Sequence, residues 1–264
     1  MERAVCRDDG RQVIDLDDLN EVHVGLVGGD LLVSGTPGPS RLEIECVDGQ
    51  PVWISCHDGL LLIEQHQPAD LASRRTRATV AVSCPPATLV SARSVSAPVV
   101  VAGIAGELRA TTVSGDIVWS YVGGEVAARS VSGRVEMEGV SGRLRVTTVS
   151  GDIALAGGYL DSLAAQSTSG NLTLDIETRQ EGDYRCNTVS GHVLMRLPSE
   201  ADATIEASSL SGRLAVPAAA EGERTGRPGR RRARSVLGSG SAAIRLRSVS
   251  GALAVLTRQE AVAV

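Results

Sequence analysis

A chain of 264 residues is long enough to bury a sizeable core as one large domain or two modest ones. Its net charge of −5 and 2% aromatic content count against wholesale nucleic-acid binding and against base-stacking platforms. Phe is absent, and Val, Leu, Ile and Ala accompany 29 Gly, a mixture suited to β-strands joined by tight turns. All 26 basic residues are Arg, through either the codon bias of a GC-rich genome or a use for its planar, bidentate head group.

The opening "MERAVCRDDGRQVIDLDDL" is charged throughout and lacks the apolar core of a signal peptide. The longest apolar run, near residues 97–106, is about half the length that spans a bilayer. Together these predict a cytoplasmic protein whose only membrane contact is peripheral. Residues 1–82 read as a β-rich capping region, with strands in "EVHVGLVGGDLLVSG", "RLEIECV", "PVWISCHDGLLLIEQ" and "ATVAVSC" separated by Gly, Pro and Asp turn signals. The polar segment 67–77 reads as a loop. Cys6, Cys46, Cys56, Cys84 and Cys186 are odd in number and show no CxxC pair, so they predict reduced thiols rather than a zinc site or disulfide framework. Cys46 and Cys56 flank a predicted hairpin turn at "VDGQP", which would bring them near each other.

From Ser83 to Val255 the chain repeats. Ser-Gly steps recur at Ser114-Gly115, Ser132-Gly133, Ser150-Gly151, Ser169-Gly170, Ser190-Gly191, Ser211-Gly212 and Ser250-Gly251. The first six glycines are spaced 18, 18, 19, 21 and 21 residues apart, and Ala97 occupies the same position one period earlier. Such a period without helical patterning predicts an all-β fold, a β-solenoid in which each repeat is one coil stacked ~4.8 Å from the next. Apolar columns at Val113, Val131 and Val149, at Leu108, Val126, Leu144 and Leu163, and at Ile117, Val135, Ile153, Leu172 and Val193 form ladders of like on like. The Ser-Gly step falls between two strands, where Gly permits the backbone angles of a sharp corner and the Ser hydroxyl bonds the local backbone or the neighbouring coil. Seven identical serines cannot all be nucleophiles, so the steps are structural corners.

The residue after each Gly varies freely, as Asp116, Arg134, Asp152, Asn171, His192, Arg213 and Ala252. That column belongs in solvent, where Asp116, Arg134 and Asp152 suit an ion-pair ladder worth ~0–1 kcal/mol per pair. Asp116 and Asp152 are also the carboxylates a polysaccharide-cleaving β-helix would need, but Arg134 stands between them and no aromatic platform accompanies them. His23, His57, His66 and His192 lack ligand spacing, and the Gly pairs at 123–124 and 157–158 lack a strand-to-helix context. No catalytic residue, metal or cofactor is expected.

One segment breaks the period. Residues 218–240 read as a loop rich in Arg, Gly and Pro, carrying Arg224, Arg227, Arg230, Arg231, Arg232 and Arg234. It is either a solvated projection or a tether for an anionic partner: acidic lipid head groups, nucleic acid or an acidic protein surface, with each Arg adding ~1 kcal/mol near an anionic membrane. Residues 256–264 form a tail, and the apolar stretch 252–264 either makes or covers the solenoid edge; an uncovered edge would let solenoids polymerise end to end, or form a simpler homo-oligomer.

"GGDLLVSG", "DGLLLIEQ", "VAVSCPPATLV", the tandem "TVSGDI" copies, "MRLPSEADATIEASSLSGRL" and "GSGSAAIRLRSVSGAL" follow one another through nearly the whole chain. In this order they resemble the putative-adhesin, or toast-rack, family of bacterial β-strand-repeat proteins, a family of undefined function. The resemblance implies a β-solenoid-like fold without catalytic residues, acting as an adhesin-like interaction or scaffold module linked to the bacterial envelope. It supplies no partner identity and no site residue.

Overall fold

The computed structural model describes residues 2–6, 10–48, 51–65, 77–217 and 231–258, and these are all-β. The chain divides into two compact units, residues 1–134 and 135–264.

Unit 1 contains β1 (Glu2–Cys6), β2 (Arg11–Leu16), β3 (Glu21–Leu26), β4 (Gly29–Gly35), β5 (Ser40–Asp48), β6 (Val52–His57) and β7 (Leu60–Gln65). It continues with β8 (Arg77–Cys84), β9 (Leu89–Ser94), β10 (Val99–Ala102), β11 (Leu108–Thr112), β12 (Ile117–Ser120) and β13 (Glu125–Ser130). Each coil contributes one strand to each of two parallel ladders. One ladder runs β7–β3–β9–β11–β13 and the other β8–β4–β10–β12. Alternate residues point inward, so Val22, Val90, Leu108 and Val126 from the first ladder and Val33, Val101, Ile117 and Trp119 from the second make the core.

The stacking order is not the sequence order. Strands β3 and β4 lie between the β7/β8 coil and the β9/β10 coil, although β7 and β8 follow them by about forty and fifty residues. Residues 1–82 therefore supply coils as well as a cap. The cap is antiparallel: β5 pairs with β8 and β2 with β5, while β6 pairs with β7 and β1 with β6. These strands cover the backbone groups that an outermost parallel coil leaves open. The expected hairpin between Cys46 and Cys56 does not form, because β5 belongs to the second ladder and β6 to the first. The loop expected over 67–77 lies outside the described residues, except that Arg77 opens β8.

Unit 2 contains β14 (Val135–Glu138), β15 (Ser141–Thr148), β16 (Ile153–Ser167), β17 (Leu172–Thr188), β18 (Val193–Leu197), β19 (Ala203–Ser209), β20 (Leu214–Ala215), β21 (Arg231–Leu237), β22 (Ala242–Ser248) and β23 (Leu253–Thr257). Strands β16 and β17 are long because each serves both ladders in turn. Again the order is broken: β22 and β23 insert between the β17/β18 coil and the β19/β20 coil. The apolar stretch from Ala252 thus enters the interior of the stack as β23. Within the expected Arg loop, residues 231–237 form β21, antiparallel to the open side of β19. Its inward Ser235 is buried and its outward Arg232, Arg234 and Val236 are exposed, a period-two pattern that the surrounding Arg and Gly obscure in the sequence. Asp202 ties down the following turn, accepting from the Gly240 and Ser241 N–H groups and the Ser239 hydroxyl.

Candidate functional site

The Ser-Gly steps lie between the two strands of a coil, as with Ser114-Gly115 between β11 and β12 and Ser190-Gly191 between β17 and β18. Their glycines are needed for a reason other than the backbone angle. Gly115, Gly133, Gly170, Gly191, Gly212 and Gly251 are absent from the positive-φ positions, and all are buried. A Cβ at Gly133 would sit 2.0 Å from the Gly115 carbonyl oxygen, and one at Gly191 would sit 2.0 Å from that of Gly170. The corners approach so closely that only a hydrogen fits between them.

Three polar positions bind the corners together. Three residues before each Gly stands a buried Thr or Ser. The hydroxyls of Thr112 and Ser130 donate to the carbonyls of Gly115 and Gly133, at 2.6 and 2.8 Å. Thr148, Thr188, Ser209 and Ser248 accept from the N–H of Gly151, Gly191, Gly212 and Gly251. Ser94 and Ser167 occupy the same column without a partner for their Oγ. Next, the exposed serine hydroxyls reach the neighbouring coil: Ser132 donates to the Val113 carbonyl at 3.2 Å and Ser190 to that of Thr168 at 3.3 Å.

The third position is the variable residue after Gly. Its side chain accepts from the backbone N–H of its equivalent one coil on: Asp116 from Arg134, Asp152 from Asn171, Asn171 from His192, and His192 Nδ1 from Ala252, at 2.7–3.1 Å. In each of these pairs the cross-coil bond runs from a backbone N–H to a side chain, a link that the expected ion-pair ladder did not include. Both candidate carboxylates, Asp116 and Asp152, are occupied in this way. Among the described residues no group of His, Cys, Asp or Glu is arranged to hold a metal ion. Cys84 and Cys186 are buried free thiols, and burial pushes Cys186 up to about 12.

The apolar column at the corners faces water. Val113 and Val131 in unit 1, and Val149, Val189, Leu210 and Val249 in unit 2, are 43–49% exposed. A side chain between a buried Thr or Ser and an exposed Ser must project from the turn, whatever its hydrophobicity. The columns through Leu108 and Ile117, by contrast, are buried as expected.

Of the arginines singled out in the sequence, Arg224, Arg227 and Arg230 lie outside the described residues, while Arg232 and Arg234 project outward from β21. There they join a face that sequence reasoning missed. One outward column of unit 2 reads Arg145, Ala164, Arg185, Arg245, Glu206, Arg234 across β15, β16, β17, β22, β19 and β21; beside it runs Thr147, Gln166, Asn187, Arg247, Ser208, Arg232. The available signal was Arg alternating with buried apolar residues, as in "RLRVT" and "AAIRLRS". The outward side of the other ladder of unit 2 carries Glu136, Glu138, Asp175 and Glu177 with Arg196 and, just past β23, Arg258. Arg196 and Arg258 both bind Asp175, and Arg258 also binds Glu177. Burial raises the Asp175 carboxyl, but these hydrogen bonds outweigh it and hold the group below its usual range.

The family model of Toastrack DUF4097 matches residues 105–256, more than half of the chain. The chain belongs to this family. The matched span begins just before β11 and ends within β23. No curated protein matches the Toastrack chain. Among solved structures, a putative adhesin from Bacteroides fragilis is 10% identical over 97% of each chain, with a TM-score of 0.47. A putative lipid binding protein from Parabacteroides distasonis is 11% identical, covering 95% of this chain and 96% of its own, with a TM-score of 0.45. A putative adhesin from the same species is 15% identical over 97% of each chain, with a TM-score of 0.41.

Proposed function

We propose that this Toastrack chain is a non-enzymatic recognition scaffold, each of whose two units holds an apolar ridge in fixed register for a partner protein. The observation that carries this reading is the division of labour at the corners. Their polar groups bond coil to coil, while Val113 and Val131 in unit 1 and Val149, Val189 and Val249 in unit 2 face outward. Spaced exposed apolar residues on a rigid frame suit contact with another surface. Enzymatic chemistry fits poorly, because the Asp116 and Asp152 carboxylates hold backbone N–H groups and the thiol of Cys186 is buried and protonated at neutral pH. Coil-on-coil polymerisation is also disfavoured, because antiparallel strands cover the outermost coil of unit 1 and the open side of β19.

The test is site-specific photo-crosslinking in the native host. A photoreactive residue at Val131 or Val189 is expected to yield a discrete adduct, and one at the buried Ala110 none. Adducts no more discrete from the ridge than from outward sheet positions such as Arg109 would overturn the ridge as the recognition surface.

A further inference from the structure

The outward face formed by β15, β16, β17, β22, β19 and β21 carries a charge pattern that folding alone does not favour. Of the twelve positions in its two central columns, six are Arg and one, Glu206, is acidic. The chain as a whole has a net charge of −5, and the other face of unit 2 is acidic. Arg185 and Arg245 are direct register partners on neighbouring parallel strands. Like charges placed so close destabilise a sheet. Asp183 relieves the pair by contacting both guanidinium groups, at 2.6 and 3.0 Å, and Glu206 reaches Arg245 only at 4.0 Å. Arg145, Arg247, Arg232 and Arg234 are exposed on the same face.

We propose that this face is a docking surface for an anionic phospholipid bilayer. The site is on unit 2 alone and does not depend on what the valine ridge binds. Its shape is a sheet of parallel coils extended by one antiparallel strand, matching a planar array of phosphates rather than a single strand of them. The two central columns contain no aromatic residue on which a nucleobase could stack. Guanidinium groups bind phosphate through paired N–H donors; Arg185 and Arg245 share Asp183 and add positive charge at the centre of the face, while the exposed Arg145, Arg247, Arg232 and Arg234 offer their guanidinium groups around them. Of the 218–240 segment, Arg232 and Arg234 form the β21 margin of this surface.

The experiment is vesicle flotation of the full chain, comparing phosphatidylglycerol–phosphatidylcholine vesicles with phosphatidylcholine alone at low and high salt. Wild type should float only with the anionic vesicles, and less at high salt. Each basic residue near such a surface is worth about fivefold in partitioning. The triple variant Arg185→Gln, Arg245→Gln, Arg247→Gln should therefore lose about a hundredfold, and the corresponding triple Lys variant should keep most of the binding. Glu206→Gln should tighten binding by about fivefold, a gain that a misfolded protein would not show. Arg224→Gln, Arg227→Gln, Arg230→Gln should retain the larger part of the binding. The proposal is overturned if wild type ignores anionic vesicles, or if the loop variant abolishes binding while the face variant does not. It also fails if a single-stranded nucleic acid or an acidic protein competes at lower concentration than the vesicles.

Discussion

Gly191 separates two explanations of why the corner demands glycine. In Gly191→Ala the new Cβ would sit 2.0 Å from the Gly170 carbonyl oxygen and 2.9 Å from Thr188 Oγ1. Restoring an ordinary carbon–oxygen contact of about 3.3 Å requires the two coils to part by ~1 Å. That movement strains the cross-coil bonds from Ser190 N to Thr168 O (2.9 Å), from Leu172 N to His192 O (2.8 Å) and from His192 N to Asn171 Oδ1 (3.1 Å). Each is worth roughly 1 kcal/mol, and overpacking adds about 1–3 kcal/mol, for an expected loss of about 4–6 kcal/mol. This is a large share of the ~5–15 kcal/mol that a folded domain possesses. Gly157 is the control: its φ is +64° but no atom lies within 4 Å of an added Cβ, so Gly157→Ala should cost only about 1–2 kcal/mol of left-handed strain. Urea unfolding with comparison of midpoints and slopes reads the difference, and hydrogen exchange over 188–196 locates it. If Gly191→Ala costs no more than Gly157→Ala, close approach is not the reason for the glycine.

Thr188→Val removes the acceptor for the Gly191 N–H and should cost about 1–3 kcal/mol, whereas Thr188→Ser should be nearly neutral in the same unfolding assay. Asp152→Asn keeps an acceptor for the Asn171 N–H and should leave stability within about 0.5 kcal/mol, while Asp152→Ala should lose about 1 kcal/mol by urea midpoint. Because burial raises the Cys186 thiol to about 12, its contribution is present below the ordinary thiol value of 9.0 and is lost as pH rises from there towards about 12. Cys186→Ala should flatten that alkaline fall in melting temperature, and Cys186 should resist a thiol reagent until the protein unfolds. At the acid end, the lowered Asp175 contributes stability that is present above the usual carboxylate range and disappears as pH falls through its folded value. Arg258→Ala should shrink that acid dependence in a pH series of melting curves.

The repeat period, the buried columns and the position of each turn are legible because every coil places equivalent residues in equivalent surroundings. Leu108 and Val126 pair in register, as do Leu144 and Leu163, and their spacing alone announces it. Other features depend on context that spacing does not carry. The valines after Thr112 and Ser130 look like core residues but stand at a convex turn. The glycines suggest a positive φ, whereas the constraint comes from a carbonyl contributed by another coil. The strand at 231–237 is masked by arginines that are outward-facing, hence free to be polar. The Arg face itself emerges only once β22 is known to pair with β17, some sixty residues away. Nothing local in either sequence predicts that pairing.

The displaced coils have a consequence for synthesis. When β19 and β20 leave the ribosome, β22, the parallel neighbour of β19, and β23, the partner of β20, have not yet been made. The β17/β18 coil must wait as well, with a place kept vacant beside it. Translation of residues 242–257 then closes unit 2 from within, as a late keystone contacting both sides. A chain assembled this way cannot peel apart one layer at a time from that side in reverse order of its making. Withdrawing the keystone breaks two parallel interfaces at once.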